Sequence, residues 1–227
     1  MRINADLRQP ATVAAGALDW VASPLPGVER RMLERIGGEV ARATSLVRYA
    51  PGSAFAPHSH GGGEEYLVLD GVFRDEHGDF GKGFYVRNPP GSRHTPSSPA
   101  GCTILVKLWQ MHADDQTPRA VDTGDDGLWT DDGGGVRRLP LHRFGEETVD
   151  LLDLPTGATL GPSEEPGGLE LFVLAGTIEV DGETWPAETW LRRPPGAVFA
   201  ASTDAGCRLY RKRGHLAAPP PLPQPAT

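Results

Sequence analysis

The stretch "PHSHGGGEEYLVLDG", Pro57 to Gly71, returns 105 residues later as "PSEEPGGLELFVLAG", Pro162 to Gly176. Gly62, Gly63, Gly71 and the apolar run are kept, and the histidines are not. At the same shift, without a gap, Gly52 aligns with Gly157, Glu65 with Glu170, Val68-Leu69 with Val173-Leu174 and Arg87 with Arg192. The register runs on through "PPG" at 89–91 and 194–196, "GC" at 101–102 and 206–207, and Lys107 with Lys212. So many glycines, prolines and cysteines in one register identify an internal duplication, two copies of one domain.

Each copy reads as short strands rich in β-branched and aromatic residues and bounded by Gly, Pro or Asp. They are "ATSLVRYAP", "EYLVLDGVFRD", "GFYVRNPPG" and "CTILVKLWQM" in the first copy, then "TVDLLDLPT", "LELFVLAGTIEV", "ETWLRRPPG" and "CRLYRKR" in the second. "DEHGD" and "VDGE" fall at equivalent hairpin turns. The early "GVERRMLERI" has a helix-like pattern, but the alternation of Val28, Arg30 and Met32 with the turn at Gly37-Gly38 predicts a pair of strands. An all-β fold follows, an antiparallel barrel or sandwich per copy. The expected limits are 1–115 and 116–216, with a proline-rich tail over 217–227. The acidic, glycine-rich stretch from His112 to Gly135 is read as connector plus entry strands of the second copy.

Composition narrows the function. The chain has 227 residues, 38% apolar, with a formal charge of −8, 29 glycines, 22 prolines and two cysteines. Length and apolar content suffice for packed cores. The negative charge, spread along the chain, argues against a nucleic-acid surface. Two cysteines make no disulfide framework, and there is no signal-like N-terminal pattern or apolar run of about 20 residues. A cytoplasmic protein acting on small molecules, metals or proteins is expected, without a membrane segment.

In an extended segment, His58 and His60 point to the same side. The "GGG" turn can bend the chain sharply enough to bring Glu64 back beside them. After the Pro89-Pro90-Gly91 turn, His94 opens another strand and could close the constellation. Imidazoles with a carboxylate suit zinc, iron, manganese, nickel or copper, and suit calcium poorly. Glu65 is the rival carboxylate. It is kept as Glu170 in the second copy, whereas Glu64 becomes Leu169 and disappears together with the histidines, which favours Glu64.

"GSAFAPHSHGGGEEYLVLDG", Gly52 to Gly71, resembles the first cupin motif, and "GFYVRNPPGSRH", Gly83 to His94, the second. The stretch from His58 to Pro96, followed by "GCTILVKLWQM", is similar to the cupin domain of ChrR-type anti-sigma factors. The similarity covers roughly residues 18–112, with a degenerate echo over about 120–214. It implies two tandem cupin barrels, double-stranded β-helix jelly rolls, with one divalent transition metal, zinc or iron with manganese or nickel as alternatives, held by His58, His60, Glu64 and His94. ChrR proteins also carry an N-terminal helical domain with a zinc-binding His and Cys cluster. Residues 1–40 here contain neither residue type, so sigma-factor binding is not expected.

In the second copy Ser163 replaces His58, Glu165 replaces His60, Leu169 replaces Glu64 and Phe199 replaces His94. An apolar barrel without metal is expected there. His77 reads as a solvated turn residue, and His112, His142 and His215 lack partners at a recognisable spacing. Cys102 and Cys207 read as buried thiols; a redox role for Cys102 would need exposure and an electropositive setting. Tyr66, Phe73, Tyr85 and Trp109 read as core or pocket wall. The expected function is a ChrR-like metal-binding bicupin that binds a small molecule or senses an oxidant, with a homodimer as a further expectation. The alternative is an iron-dependent dioxygenase acting on a small oxygenated organic substrate, with Glu64 as the candidate base. Arg87, Arg93 and Lys107 are candidate polar lining groups.

Overall fold

The structure, a computed structural model, describes residues 1–223; the last four residues of the expected proline-rich tail, 224–227, lie outside the described residues. The fold is all-β. Among the described residues the helical elements are two 3-10 turns, Ala15–Ala17 and Asp126–Leu128, and no helix is long and apolar enough to cross a membrane.

The chain forms two compact units. In the first, Val28–Gly37, Ala41–Tyr49, Cys102–Leu108, Glu64–Asp75, Phe84–Asn88 and Arg119–Asp122 hydrogen-bond in that spatial order, all antiparallel. In the second, the same order runs Arg137–Phe144, Glu147–Leu154, Cys207–Arg213, Leu169–Val180, Thr189–Arg193 and Ala11–Ala14. "GVERRMLERI" is a strand, as its alternation predicts. "DEHGD" and "VDGE" are the hairpin turns expected of them.

The units differ from the contiguous limits 1–115 and 116–216. Asp6–Ala17 belongs to the second unit, and the first continues to Gly124. Arg119–Asp122 is therefore not an entry strand of the second copy; it pairs with Phe84–Asn88, with Tyr85 opposite Val121. Ala11–Ala14 pairs with Thr189–Arg193, with Val13 opposite Trp190. The physical cause is an edge requirement. Phe84–Asn88 and Thr189–Arg193 are equivalent strands whose outer N–H and C=O groups need a partner, and "PATVA" and "PRAVD" are near-equivalent short segments able to supply one.

Alternation along Glu64–Asp75 sorts its side chains. Tyr66, Val68 and Phe73 join Phe80, Val86, Cys102, Ile104 and Val106 in one buried cluster. Glu65 points the other way, accepting hydrogen bonds from Arg87 and, at 3.1 Å, from Tyr85 Oη, while Arg87 Nη2 donates to Asp115 at 2.7 Å. In the second unit Glu170 accepts from Trp190 Nε1 and His215 Nε2, each at 3.0 Å. Buried carboxylates are tolerated only when paired in this way. The retention of Glu65 and Arg87 in both copies therefore belongs to the scaffold.

Both cysteines are free and buried. Burial pushes the Cys207 thiol up to about 11, and burial likewise raises Cys102. At about 11 the Cys207 thiol is only about one-thousandth ionised near pH 8, and burial shields both thiols from reagent. We therefore expect neither to react with an aromatic disulfide reagent within minutes in the native protein, and both to react at once in denaturant. Fast colour release from the native chain would contradict this.

Candidate metal centre

The three histidines meet through strand register. His58–His60 pairs antiparallel with Ser92–His94, with His94 directly opposite His58 and Ser92 opposite His60. Opposite residues share a face, so the three rings cluster, with centroids 4.8–5.0 Å apart. Their donor nitrogens all lie within 4.8 Å of one another, and His60 Nε2 is 2.9 Å from His94 Nε2.

Glu64 follows the glycine turn and brings Oε2 to 3.6 Å from both of those nitrogens. The turn needs its glycines. Gly63 has φ +75°, and a Cβ on Gly62 or Gly63 would collide with the Trp109 ring or the Met111 side chain. Trp109 itself has φ +57°, unusual for so bulky a residue; its counterpart is Gly214, at φ +82°. The first copy thus accepts an unfavourable backbone conformation to lay an indole over the turn beside His60.

Neighbouring groups orient the donors. His94 Nδ1–H donates to Asp75 Oδ2 at 3.2 Å, and His58 Nδ1–H to the Ala56 carbonyl at 3.1 Å, leaving both Nε2 lone pairs for the centre. Asn88 Nδ2 donates to Glu64 Oε2 at 3.1 Å. Such outer partners fix ring orientation and tautomer at metal sites. Burial lowers the pKa of His60, only partly offset by the charge of Glu64. Burial also works to lower that of His94, but the bond to Asp75 and the charges of Glu64 and Asp75 leave it raised.

The donor set fits a metal. With bonds of about 2.0–2.2 Å, ligand atoms around one ion stand roughly 3–3.5 Å apart, and separations of 2.9 and 3.6 Å bracket that range. His94 and Glu64 are buried and His58 is exposed, so the centre opens to solvent on the His58 side.

All four residues singled out in the sequence come together. Glu65 is turned to the opposite face with Arg87. Arg87 and Lys107 share that face, Lys107 donating to Thr44 Oγ1 at 3.0 Å, and Arg93 is exposed. None of these three lines the histidine centre, contrary to their candidacy as lining groups. His77 and His112 are exposed, whereas His142 and His215 are buried. Asp75 and Asn88 are additions that the sequence reading misses. Their signal lies in the same 105-residue shift, which replaces them by Val180 and Arg193.

In the second unit Leu169, Leu171, Val180 and Phe199 join one apolar cluster with Leu152, Leu154, Val173, Ile178, Leu191 and Leu209. Glu165, at the position of His60, accepts from Arg213 at 2.8 and 2.9 Å and from Ser163 Oγ at 3.0 Å.

Two copies of an antiparallel barrel in one chain, one carrying His-x-His, a glutamate and a distant histidine turned to a single point, define a bicupin. The sequence matches the ChrR Cupin-like domain twice, over residues 8–112 and 117–217, and the chain belongs to that family. Among proteins with curated descriptions none matches it. Solved structures of similar fold include a "putative dioxygenase" from Nostoc punctiforme, 16% identical, covering 97% of this chain and 88% of that one with a TM-score of 0.72. Another is the bacterial pirin YhhW in complex with nickel(II) from Escherichia coli, 12% identical, covering 94% and 100% with a TM-score of 0.66. A cupin 2 conserved barrel domain protein from Leptotrichia buccalis is 12% identical, covering 94% and 99% with a TM-score of 0.61. At these identities the likeness is one of fold.

Proposed function

We propose that this bicupin holds one divalent transition metal at His58, His60, Glu64 and His94, and uses that centre to bind a small oxygenated organic molecule or oxidant. The observation that carries this reading is the joint convergence of the four donors in one barrel and their joint replacement in the other. When bound, the metal would supply Lewis acidity and, if redox-active, one-electron chemistry. The chain's own residues do the rest. His94 and His58 keep their Nε2 lone pairs because their Nδ1 protons are engaged. Asn88 holds Glu64 by one oxygen, which leaves the carboxylate able to turn and accept a proton from an incoming ligand. The second barrel, whose Leu169 and Phe199 fill the equivalent of the metal centre within an apolar cluster, serves as scaffold.

A catalytic reading is favoured by the three-histidine, one-glutamate donor set and by the name given to the Nostoc neighbour. Elemental analysis of protein purified without chelators, followed by oxygen-uptake measurements with iron restored, separates the two. About one metal per chain is expected. Tight zinc with no oxygen uptake across β-diketone and hydroxyketone substrates would leave the binding function. Iron that consumes oxygen with any of them would establish turnover. Protein that holds no metal would overturn both.

A further inference from the structure

Among the described residues, the inner face of the first barrel carries a buried tyrosine hydroxyl that the metal centre leaves unused. Tyr66 follows Glu64 by two residues and so shares its face. It is 1% exposed, and its hydroxyl has no hydrogen-bond partner among the described residues. Its ring lies 4.7 Å from that of Phe73, which in turn is 5.9 Å from the His94 ring. A buried hydroxyl is normally satisfied, and one left open in the protein points to a water or a ligand atom as its partner.

The duplication supplies the control. The counterpart of Tyr66 is Leu171, also 1% exposed and packed in the apolar cluster, so barrel packing at this position does not require an oxygen. Polar groups that serve the scaffold are kept instead. Ser98 Oγ donates to the Val72 carbonyl at 2.7 Å, and its counterpart Thr203 Oγ1 to the Thr177 carbonyl at 2.7 Å. The phenolic oxygen therefore behaves as the metal donors do: it is present where they are present and lost where they are lost.

We propose that the Tyr66 hydroxyl is the specificity-determining donor of the first barrel, hydrogen-bonding a carbonyl-type oxygen of a small neutral ligand whose other oxygen faces the histidines. The proposal rests on the metal-binding reading above. The ligand class follows from the wall. The inner face here is Tyr66, Phe73 and Phe80 beside the acids Glu64 and Asp75, while Arg87 and Lys107 face away. The cation on this face, Arg30 opposite Val47, is ion-paired with Glu39 at 3.5 Å, and aromatic surface beside acids suits a compact, uncharged carbonyl compound rather than a phosphate or a dicarboxylate.

The test uses the full chain loaded with cobalt(II) and titrated with acetylacetone, a small β-diketone, followed by the visible cobalt absorption. Metal content and thermal midpoint are read first, without the diketone. Tyr66→Phe removes only the oxygen. It is expected to keep the wild-type metal content and a thermal midpoint no lower than wild type, and to bind acetylacetone about tenfold more weakly. Equal affinity in the two proteins, or a wild type that holds cobalt but does not respond to acetylacetone, would overturn the proposal and leave the metal reading standing. Loss of metal or of thermal stability in Tyr66→Phe would mark the hydroxyl as structural and overturn it as well. A wild type that takes up no metal would bring down both.

Discussion

Alanine in place of His94 is expected to lower the metal held by the chain from about one equivalent to under about a tenth, after dialysis against micromolar free metal. His94 is the best-anchored donor of the set. It is 3% exposed, its Nε2 lies 2.9 Å from that of His60, and Asp75 holds its other nitrogen. Alanine deletes the donor and takes one of two hydrogen-bond partners from the buried Asp75 carboxylate, leaving it the His77 backbone N–H at 2.8 Å. Losing only an outer partner weakens metal affinity about 10–100-fold, so Asp75→Asn is expected to fall in that range and His94→Ala below it. His77→Ala, at the exposed hairpin tip, is expected to change nothing. Elemental analysis reads the stoichiometry. A second readout is thermal: metal at about a hundred times its dissociation constant adds roughly 2.7 kcal/mol of stability, a gain expected in the wild type and absent in His94→Ala. A full equivalent retained by His94→Ala would place the metal elsewhere.

Much of this centre is legible in the sequence because the chain carries its own comparison. A strand period of two puts His58 and His60 on one side, and the second copy shows that Glu65 persists where the histidines do not. The structure supplies the reason, since Glu65 is held by Arg87 and Tyr85 on the opposite face. Other features stay hidden for physical reasons. Asp75 stands in "RDEHGD" and Asn88 just before "PPG", contexts in which Asp and Asn are ordinary turn residues; only the fold shows them reaching back to His94 and Glu64. Tyr66 reads as core and is core, but packing alone does not account for its hydroxyl. The domain limits differ for another cause. Ala11–Ala14 and Arg119–Asp122 are short edge strands whose partners are remote in sequence: Thr12 stands opposite Leu191 and Val13 opposite Trp190, near the other end of the chain, while Val121 stands opposite Tyr85. Local pattern shows that such a segment can be a strand, not which edge it completes.

Gly71→Ala is expected to destabilise the first barrel by about 3 kcal/mol or more, and Gly176→Ala the second by a similar amount. Both glycines have positive φ, +74° and +76°. A Cβ on Gly71 would overlap the Gly101 carbonyl oxygen and lie 2.8 Å from Cys102 Cα; on Gly176 it would overlap the Gly206 oxygen and lie 2.9 Å from Cys207 Cα. The obstructing atoms are backbone at the start of a paired strand, with Cys102 opposite Gly71 and Cys207 opposite Gly176. They cannot withdraw without breaking the ladder. Gly52 has the same kind of conformation, φ +78°, but a Cβ there would meet nothing within 4 Å, so Gly52→Ala is expected to cost only the left-handed backbone penalty, about 1–2 kcal/mol. Denaturant unfolding of the three variants separates the contributions, and equal losses at Gly52 and Gly71 would show that conformation alone, rather than close approach, keeps the glycine. The contrast with His94→Ala completes the division that the repeat draws. A glycine that both copies hold against backbone is expected to matter to the barrel whether or not metal is present, whereas removing a histidine found in one copy is expected to cost the metal and keep the fold.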